Sequence, residues 1–113
     1  MHELSLAGSI LDIVEAAARR EAFRRVRGLR LAVPALSGVE VPALRFALQS
    51  IAPATLLEGA ELTIDEPPAS ARCLDCGASI EVSAHELGCP QCGSACWQLG
   101  DDNRMRVVDL LVE

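Results

Sequence analysis

Apolar residues recur every three or four positions near the start of the chain, which is the period of an α-helix. Polar residues, among them Ser9, Asp12 and Glu15, occupy the opposite face. The pattern predicts an amphipathic helix over residues 4–22. Its buried face consists of Leu4, Ala7, Ile10, Leu11, Val14, Ala17 and Ala18.

Two short segments alternate apolar and polar residues, as strands with one buried face do. They lie at 26–33, before Pro34, and at 61–66, after Gly59. A third segment, residues 105–113, is strongly apolar. Because an apolar strand left unpaired promotes aggregation, we expect this last segment to return and pair with the first two strands.

A second helix is predicted between the first two strands. It follows the turn at Ser37-Gly38 and ends at Ile51, before Pro53. Pro42 is tolerated because it lies in the first turn, where a missing amide hydrogen breaks no helical hydrogen bond. The buried stripe of this helix is predicted to contain Val41, Leu44, Ala47, Leu48 and Ile51.

Two Cys-x-x-Cys pairs follow the second predicted strand. The pairs are Cys73 with Cys76 and Cys89 with Cys92, and twelve residues separate them. Each pair is followed by a glycine, which permits the left-handed backbone that aims amides at sulfur. This is the type of spacing found in zinc ribbons, where a hairpin brings four thiolates to one tetrahedral metal. The sequence therefore predicts a structural zinc site.

Three other uses are known for cysteines in such pairs: disulfides, redox exchange and iron binding. Two disulfides need an oxidising compartment, and the N-terminus has no charged-then-apolar leader. No apolar run approaches the ~20 residues of a membrane span, so we expect a cytoplasmic protein with reduced thiols. A redox role is disfavoured because thiolates held by zinc are not free to exchange. Rubredoxin-type iron uses the same ligands, and ligand chemistry alone leaves it open.

These elements predict an α+β fold, with a small three-stranded sheet and two helices plus an inserted four-cysteine zinc-ribbon module. A chain of 113 residues is too short for two full independent cores. We expect a stiff hinge at residues 67–70, which contain two prolines. Residues 1–68 and 101–113 are assigned to an α/β domain, and residues 69–100 to the zinc-ribbon domain.

The charge of the chain bears on its partners. The formal net charge is −6, and all ten basic residues are arginine. Within 73–98 there are three acidic residues, Asp75, Glu81 and Glu86, and no arginine. Affinity for nucleic acid comes from neutralising phosphate. We therefore expect no nucleic-acid partner, although a zinc-ribbon adaptor remains the rival interpretation.

His2 is a second candidate metal ligand. The terminal amine, the His2 amide and the His2 imidazole can close two chelate rings in one plane, which suits Ni(II) or Cu(II) better than tetrahedral zinc. Amides in the first turn of a helix lack intrahelical acceptors, so using one as a ligand breaks no helical bond. Chains also begin with Met-His by chance, and termini are usually disordered. By itself this motif is weak.

Several segments distributed along the chain match one known family. They are residues 1–5, 37–40 with 43–47 after them, 57–62, the paired Cys-x-x-Cys turns, and an apolar strand ending in Val112-Glu113. With these segments the chain as a whole resembles the HypA/HybF family of hydrogenase maturation nickel metallochaperones. The resemblance is specific because it combines an N-terminal Met-His-Glu with a late zinc ribbon.

The resemblance implies a nickel site and partners. Nickel would bind the Met1 amine, the amide and imidazole of His2, and the Glu3 amide. The four cysteines of the two pairs match the structural zinc ligands of the family. Family members work with a nickel-handling GTPase and dock on the hydrogenase large-subunit precursor. In some bacteria they also serve urease maturation.

No catalytic set or cofactor fingerprint appears in the sequence, so we expect a carrier rather than an enzyme. The alternative is a zinc-ribbon adaptor or interaction module without nickel function. Two further residues fall outside the implied sites. Cys96 is expected to be a buried small residue beside Trp97, and His85 is expected on the surface.

Overall fold

The computed structural model describes residues 2–85 and 87–113, and these form two helices and six strands. In chain order the elements are α1 (His2–Glu21), β1 (Val26–Ala32), α2 (Val41–Ile51), β2 (Glu61–Asp65), β3 (Ala69–Cys73), β4 (Ser79–Val82), β5 (Trp97–Leu99) and β6 (Arg106–Val112). Within the described residues, no helix is long and apolar enough to cross a membrane.

β1 lies at the centre of the first sheet, whose strand order is β2-β1-β6. β2 runs parallel to β1, with Leu31 opposite Ile64. Parallel neighbours need a crossover connection, and α2 supplies it. β6 runs antiparallel to β1, with Leu29 opposite Leu110. The final strand therefore returns to the sheet as predicted, but it pairs with β1 alone because β1 separates it from β2.

An aliphatic core lies between this sheet and the two helices, and the predicted fold class is confirmed. Because the chain is only 3% aromatic, branched aliphatic side chains fill the space. The largest fully buried side chains of this core are Ile10 and Val14 from α1, Leu31 from β1 and Leu44 from α2.

Replacing Leu44 with alanine should destabilise this core. The side chain is 0% exposed, and deleting buried methyl groups without refilling the space costs about 2–5 kcal/mol. Urea unfolding of the metal-loaded protein measures this cost. Leu111→Ala is the matched control, because Leu111 is 67% exposed on β6. Equal losses for the two variants would contradict the position of Leu44 in the core.

The second sheet has the order β4-β3-β5 and is antiparallel throughout. This sheet forms the framework of the inserted four-cysteine module. Ala69 and Ser70, which we expected in a hinge, belong to β3. Ala69 is buried, and the Ser70 amide donates to Asn103 Oδ1 at 2.8 Å. Because burial and this hydrogen bond hold both residues in the strand, the connecting segment is shorter than the sequence predicted.

A smaller apolar cluster is formed by the second sheet and the turn that carries Cys89, and one segment of the first half of the chain packs against it. The buried members of the cluster are Ala69, Ala71, Cys73, Ile80, Val82 and Cys89. Ala35 and Leu36, which follow β1, contact this cluster. The Ala35 amide also donates to the Pro67 carbonyl at 2.8 Å. The connection between β1 and α2 therefore contacts the inserted module.

Candidate metal centres

Two turns of similar construction present the four cysteines. β3 ends at Cys73, and the chain reverses at Gly77, whose φ of 76° is a left-handed value that glycine adopts without strain. Gly93, with a φ of 78°, ends the second turn in the same conformation. The Cys76 amide donates to Cys73 Sγ at 3.5 Å, and the Gln91 amide donates to Cys89 Sγ at 3.3 Å. Each turn therefore favours a negatively charged sulfur.

The four sulfurs converge on one point between the turns. All four Sγ atoms lie within 4.8 Å of one another. Cys73 Sγ and Cys92 Sγ are 3.6 Å apart, and Cys76 Sγ and Cys89 Sγ are 3.8 Å apart. Four thiolates at about 2.3 Å from a tetrahedral zinc stand roughly 3.8 Å from each other, whereas a disulfide bond measures about 2.05 Å. The donor set and its spacing fit zinc.

Two thiols of this cluster, Cys73 and Cys92, differ in acidity. The Cys76 amide hydrogen bond lowers the pKa of Cys73 to about 7. The Ser94 amide acts in the same direction on Cys92, but the adjacent Cys73 sulfur and burial outweigh it and raise the pKa of Cys92 to about 12. A bound cation would stabilise neighbouring thiolates, and its binding must release protons.

The second candidate centre lies at the start of α1. The helix begins at His2 rather than at residue 4, and Glu3 lies in its first turn. The His2 side chain is 62% exposed, whereas that of Glu3 is only 19% exposed, and His2 Nδ1 stands 3.6 Å from Glu3 Oε2. Met1 lies outside the described residues. The structure therefore places two of the three predicted nickel residues together, at an accessible helix start.

Glu40 is a contact of this centre that the sequence did not reveal. Its amide donates to Glu3 Oε2 at 3.1 Å, across 37 positions of sequence. This hydrogen bond is the largest cause that lowers the pKa of the Glu3 carboxyl below its ordinary value. Glu40 is the N-cap residue of α2 and makes no side-chain cap of its own. The Glu3 carboxylate therefore holds the start of α1 beside the start of α2.

Comparison with known proteins decides the family. A family model described as "Hydrogenase/urease nickel incorporation, metallochaperone, hypA" matches residues 1–112. The chain belongs to the HypA family. Hydrogenase maturation factor HypA of Polaromonas naphthalenivorans is 51% identical over 112 residues, which is 99% of this chain and 97% of that relative. The HypA of Cupriavidus necator is 51% identical over 113 residues, covering 100% of this chain and 95% of the relative.

Solved structures of HypA proteins share the fold. The solution structure of the Ni metallochaperone HypA from Helicobacter pylori matches with a TM-score of 0.72 and 20% identity, over 97% of this chain and 96% of that chain. A second solution structure of a HypA protein gives a TM-score of 0.71 and 21% identity, over 100% and 97%. The arrangement of two helices, small sheets and a four-cysteine group is therefore that of HypA.

Two residues near the four-cysteine group of this HypA-family protein lie outside both centres. Cys96 is exposed, so the prediction that it is buried was wrong. Its backbone is held at the surface by the Leu74 amide, which donates to the Cys96 carbonyl at 2.8 Å. His85 is exposed, as predicted, and its ring stacks on Trp97 with centroids 6.2 Å apart and planes 5° from parallel. The Trp97 indole donates to the Leu87 carbonyl at 2.8 Å.

Proposed function

We propose that this HypA-family chain binds Ni(II) at its N-terminus and delivers it during maturation of [NiFe]-hydrogenase, with urease as a second client. The ligands are the Met1 amine, the amide and imidazole of His2, and the Glu3 amide. The observation that carries the proposal is the start of α1 at His2, with its side chain exposed. Nickel is the cargo of this site rather than a resident cofactor.

The helix start supports amide coordination. The first amides of a helix have no acceptor within it, so a metal can replace their protons without breaking a helical bond. A deprotonated amide is anionic, and the positive end of the helix dipole stabilises negative charge there. Four nitrogens in one plane suit Ni(II). The Glu3 carboxylate lies 3.6 Å from His2 Nδ1, the imidazole nitrogen that would close the chelate with the His2 amide, so it would add negative charge beside the bound cation.

We further propose that Cys73, Cys76, Cys89 and Cys92 hold a structural zinc ion. Support comes from the convergence of four sulfurs, and from turn amides that donate to two of them. Zinc bound by four thiolates has no open position for a substrate. Its role is to organise the module over residues 69–100, apart from the domain made of residues 1–68 and 101–113. The two sheets and the two apolar clusters support this division.

Delivery requires ligand exchange rather than catalysis, so the protein acts as a carrier and not as an enzyme. A site at a chain terminus has ligands on few residues, and an acceptor can replace them one at a time. The partners in this proposal are a nickel-handling GTPase, the hydrogenase large-subunit precursor and urease maturation proteins, all in the cytoplasm. Nucleic acid is not among them, because the net charge of −6 opposes phosphate binding.

Complementation tests delivery. In a hydrogenase-producing bacterium lacking its own HypA, this chain should restore hydrogenase activity, and the His2→Ala variant should not. Excess nickel in the medium should restore hydrogenase activity in the strain with His2→Ala as well, because a high nickel concentration makes a carrier unnecessary. A His2→Ala variant that complements fully at low nickel would favour the alternative of a zinc-ribbon interaction module without nickel function.

A further inference from the structure

One side-chain hydrogen bond connects the two cysteine turns. The Ser94 hydroxyl donates to Asp75 Oδ2. Asp75 stands between the cysteines of the first pair, whereas Ser94 follows the second pair. Among the described residues, the other side-chain hydrogen bonds between these turns join the cysteine sulfurs themselves. The Asp75–Ser94 bridge is therefore a connection between the turns that does not use a metal ligand.

Backbone hydrogen bonds extend this bridge on both sides. The Cys96 amide donates to Ser94 Oγ at 3.0 Å, so the hydroxyl both donates and accepts. The Cys96 carbonyl accepts from the Leu74 amide at 2.8 Å, and Leu74 belongs to the first turn. The Ser94 carbonyl accepts from the Cys89 amide at 2.8 Å. Ser94 is thus fixed to its own turn, and through Asp75 it is fixed to the other.

We infer that the Asp75–Ser94 bridge controls how long the four-cysteine site retains its metal. This inference rests on the proposal of zinc at that site. A metal held by two pairs of thiolates leaves when one pair moves away from the other. The amides that donate to sulfur act within a turn and do not oppose that movement. The Asp75–Ser94 hydrogen bond opposes it, together with the backbone hydrogen bond between Leu74 and Cys96, because one turn cannot move away without breaking them.

Both residues act by positioning the two turns, since neither belongs to the group of four sulfurs that would hold the metal. Hydrogen bonds from groups surrounding a metal site typically change metal affinity by about 10- to 100-fold when removed. Asp75 is exposed and Ser94 is half-buried, which places the expected effect at the lower end. Removing the bridge should therefore accelerate metal release about tenfold, without changing which four sulfurs bind.

Zinc transfer to an excess of a coloured chelator measures the release rate. The variants are Ser94→Ala, Asp75→Ala, the double variant, and Asp75→Asn, which keeps an oxygen that accepts from the hydroxyl. Ser83→Ala and Asp101→Ala are controls in the same part of the chain, outside both turns. Cobalt(II) replaces zinc in a parallel set, because its absorption reports tetrahedral thiolate coordination directly.

The two single variants should each release zinc about tenfold faster. The double variant should release it no faster than Ser94→Ala, because that substitution already removes the contact that Asp75→Ala removes. Asp75→Asn should recover most of the slow release. If the single variants kept both the cobalt spectrum and the release rate of the unmodified protein, or if their effects added in the double variant, the role of the bridge would be overturned. The zinc assignment would stand. Absence of tetrahedral cobalt–thiolate absorption in the unmodified protein would overturn the zinc assignment, and the inference with it.

Discussion

Replacing His2 with alanine is expected to weaken nickel binding by about 100- to 10,000-fold, because the imidazole acts on the metal within the same chelate as the terminal amine. Adding one residue before Met1 should have a comparable effect, since the amine would become an amide. Both changes leave α1 and the four cysteines in place. Calorimetric and optical titration of the untagged protein with its native terminus measures the loss.

His85→Ala is the matched control for this experiment. His85 is the second of only two histidines in the chain, and it lies in the four-cysteine module, stacked on Trp97. Its removal should leave nickel affinity unchanged. If the extended protein and His2→Ala bind nickel as tightly as the unmodified chain, the metal occupies the cysteines or His85. The N-terminal site would then be refuted.

Cys89→Ala is expected to abolish zinc binding and with it the ordered structure of the module. Cys89 is 3% exposed, so the substitution removes both a ligand and a member of the smaller apolar cluster. Binding energy at a structural zinc site is folding energy. The amide NMR signals of residues 69–100 should lose their dispersion, and zinc content should fall to nearly zero. Signals from α1, α2 and the first sheet should persist, because a separate core supports them.

Cys96→Ala is the matched control for Cys89→Ala, because it removes a thiol that is not a predicted zinc ligand. Cys96 is exposed and lies outside the group of four converging sulfurs. This variant should retain zinc and a folded module. Loss of zinc from Cys96→Ala, or retention of full zinc content by Cys89→Ala, would contradict the ligand set. Collapse of both sheets in Cys89→Ala would contradict the division of the chain into two folding units.

The two helices and the three strands of the first sheet were predictable because local signals and burial agree, whereas β3, β4 and β5 were not predicted. The apolar stripe of α1 faces the core at Ile10 and Val14, which are fully buried, but Leu4, predicted on the same face, is 46% exposed. Alternation identified β1 and β2, and the fixed spacing of the cysteines identified their convergence. In each case the period or spacing in the sequence corresponds directly to the geometry of the helix, strand or metal-binding turn that forms.

Contacts between distant segments were not predictable. Nothing near Glu3 indicates that its carboxylate accepts the Glu40 amide, since α2 begins only after a sheet strand has intervened. The order of the first sheet, with β1 at its centre, depends on where β6 returns. Cys96 was assigned to the interior from its residue type, but its backbone hydrogen bonds hold it at the surface. These features depend on tertiary packing, which cannot be inferred from local patterns in a single sequence.

X-ray absorption at the nickel edge, on zinc-loaded protein with one equivalent of Ni(II), tests most directly whether nickel is bound by nitrogen at the chain terminus and not by sulfur. We expect a planar site of nitrogen neighbours, including one imidazole, and no sulfur. Sulfur in the nickel coordination shell would place the cargo among the cysteines and refute the N-terminal site.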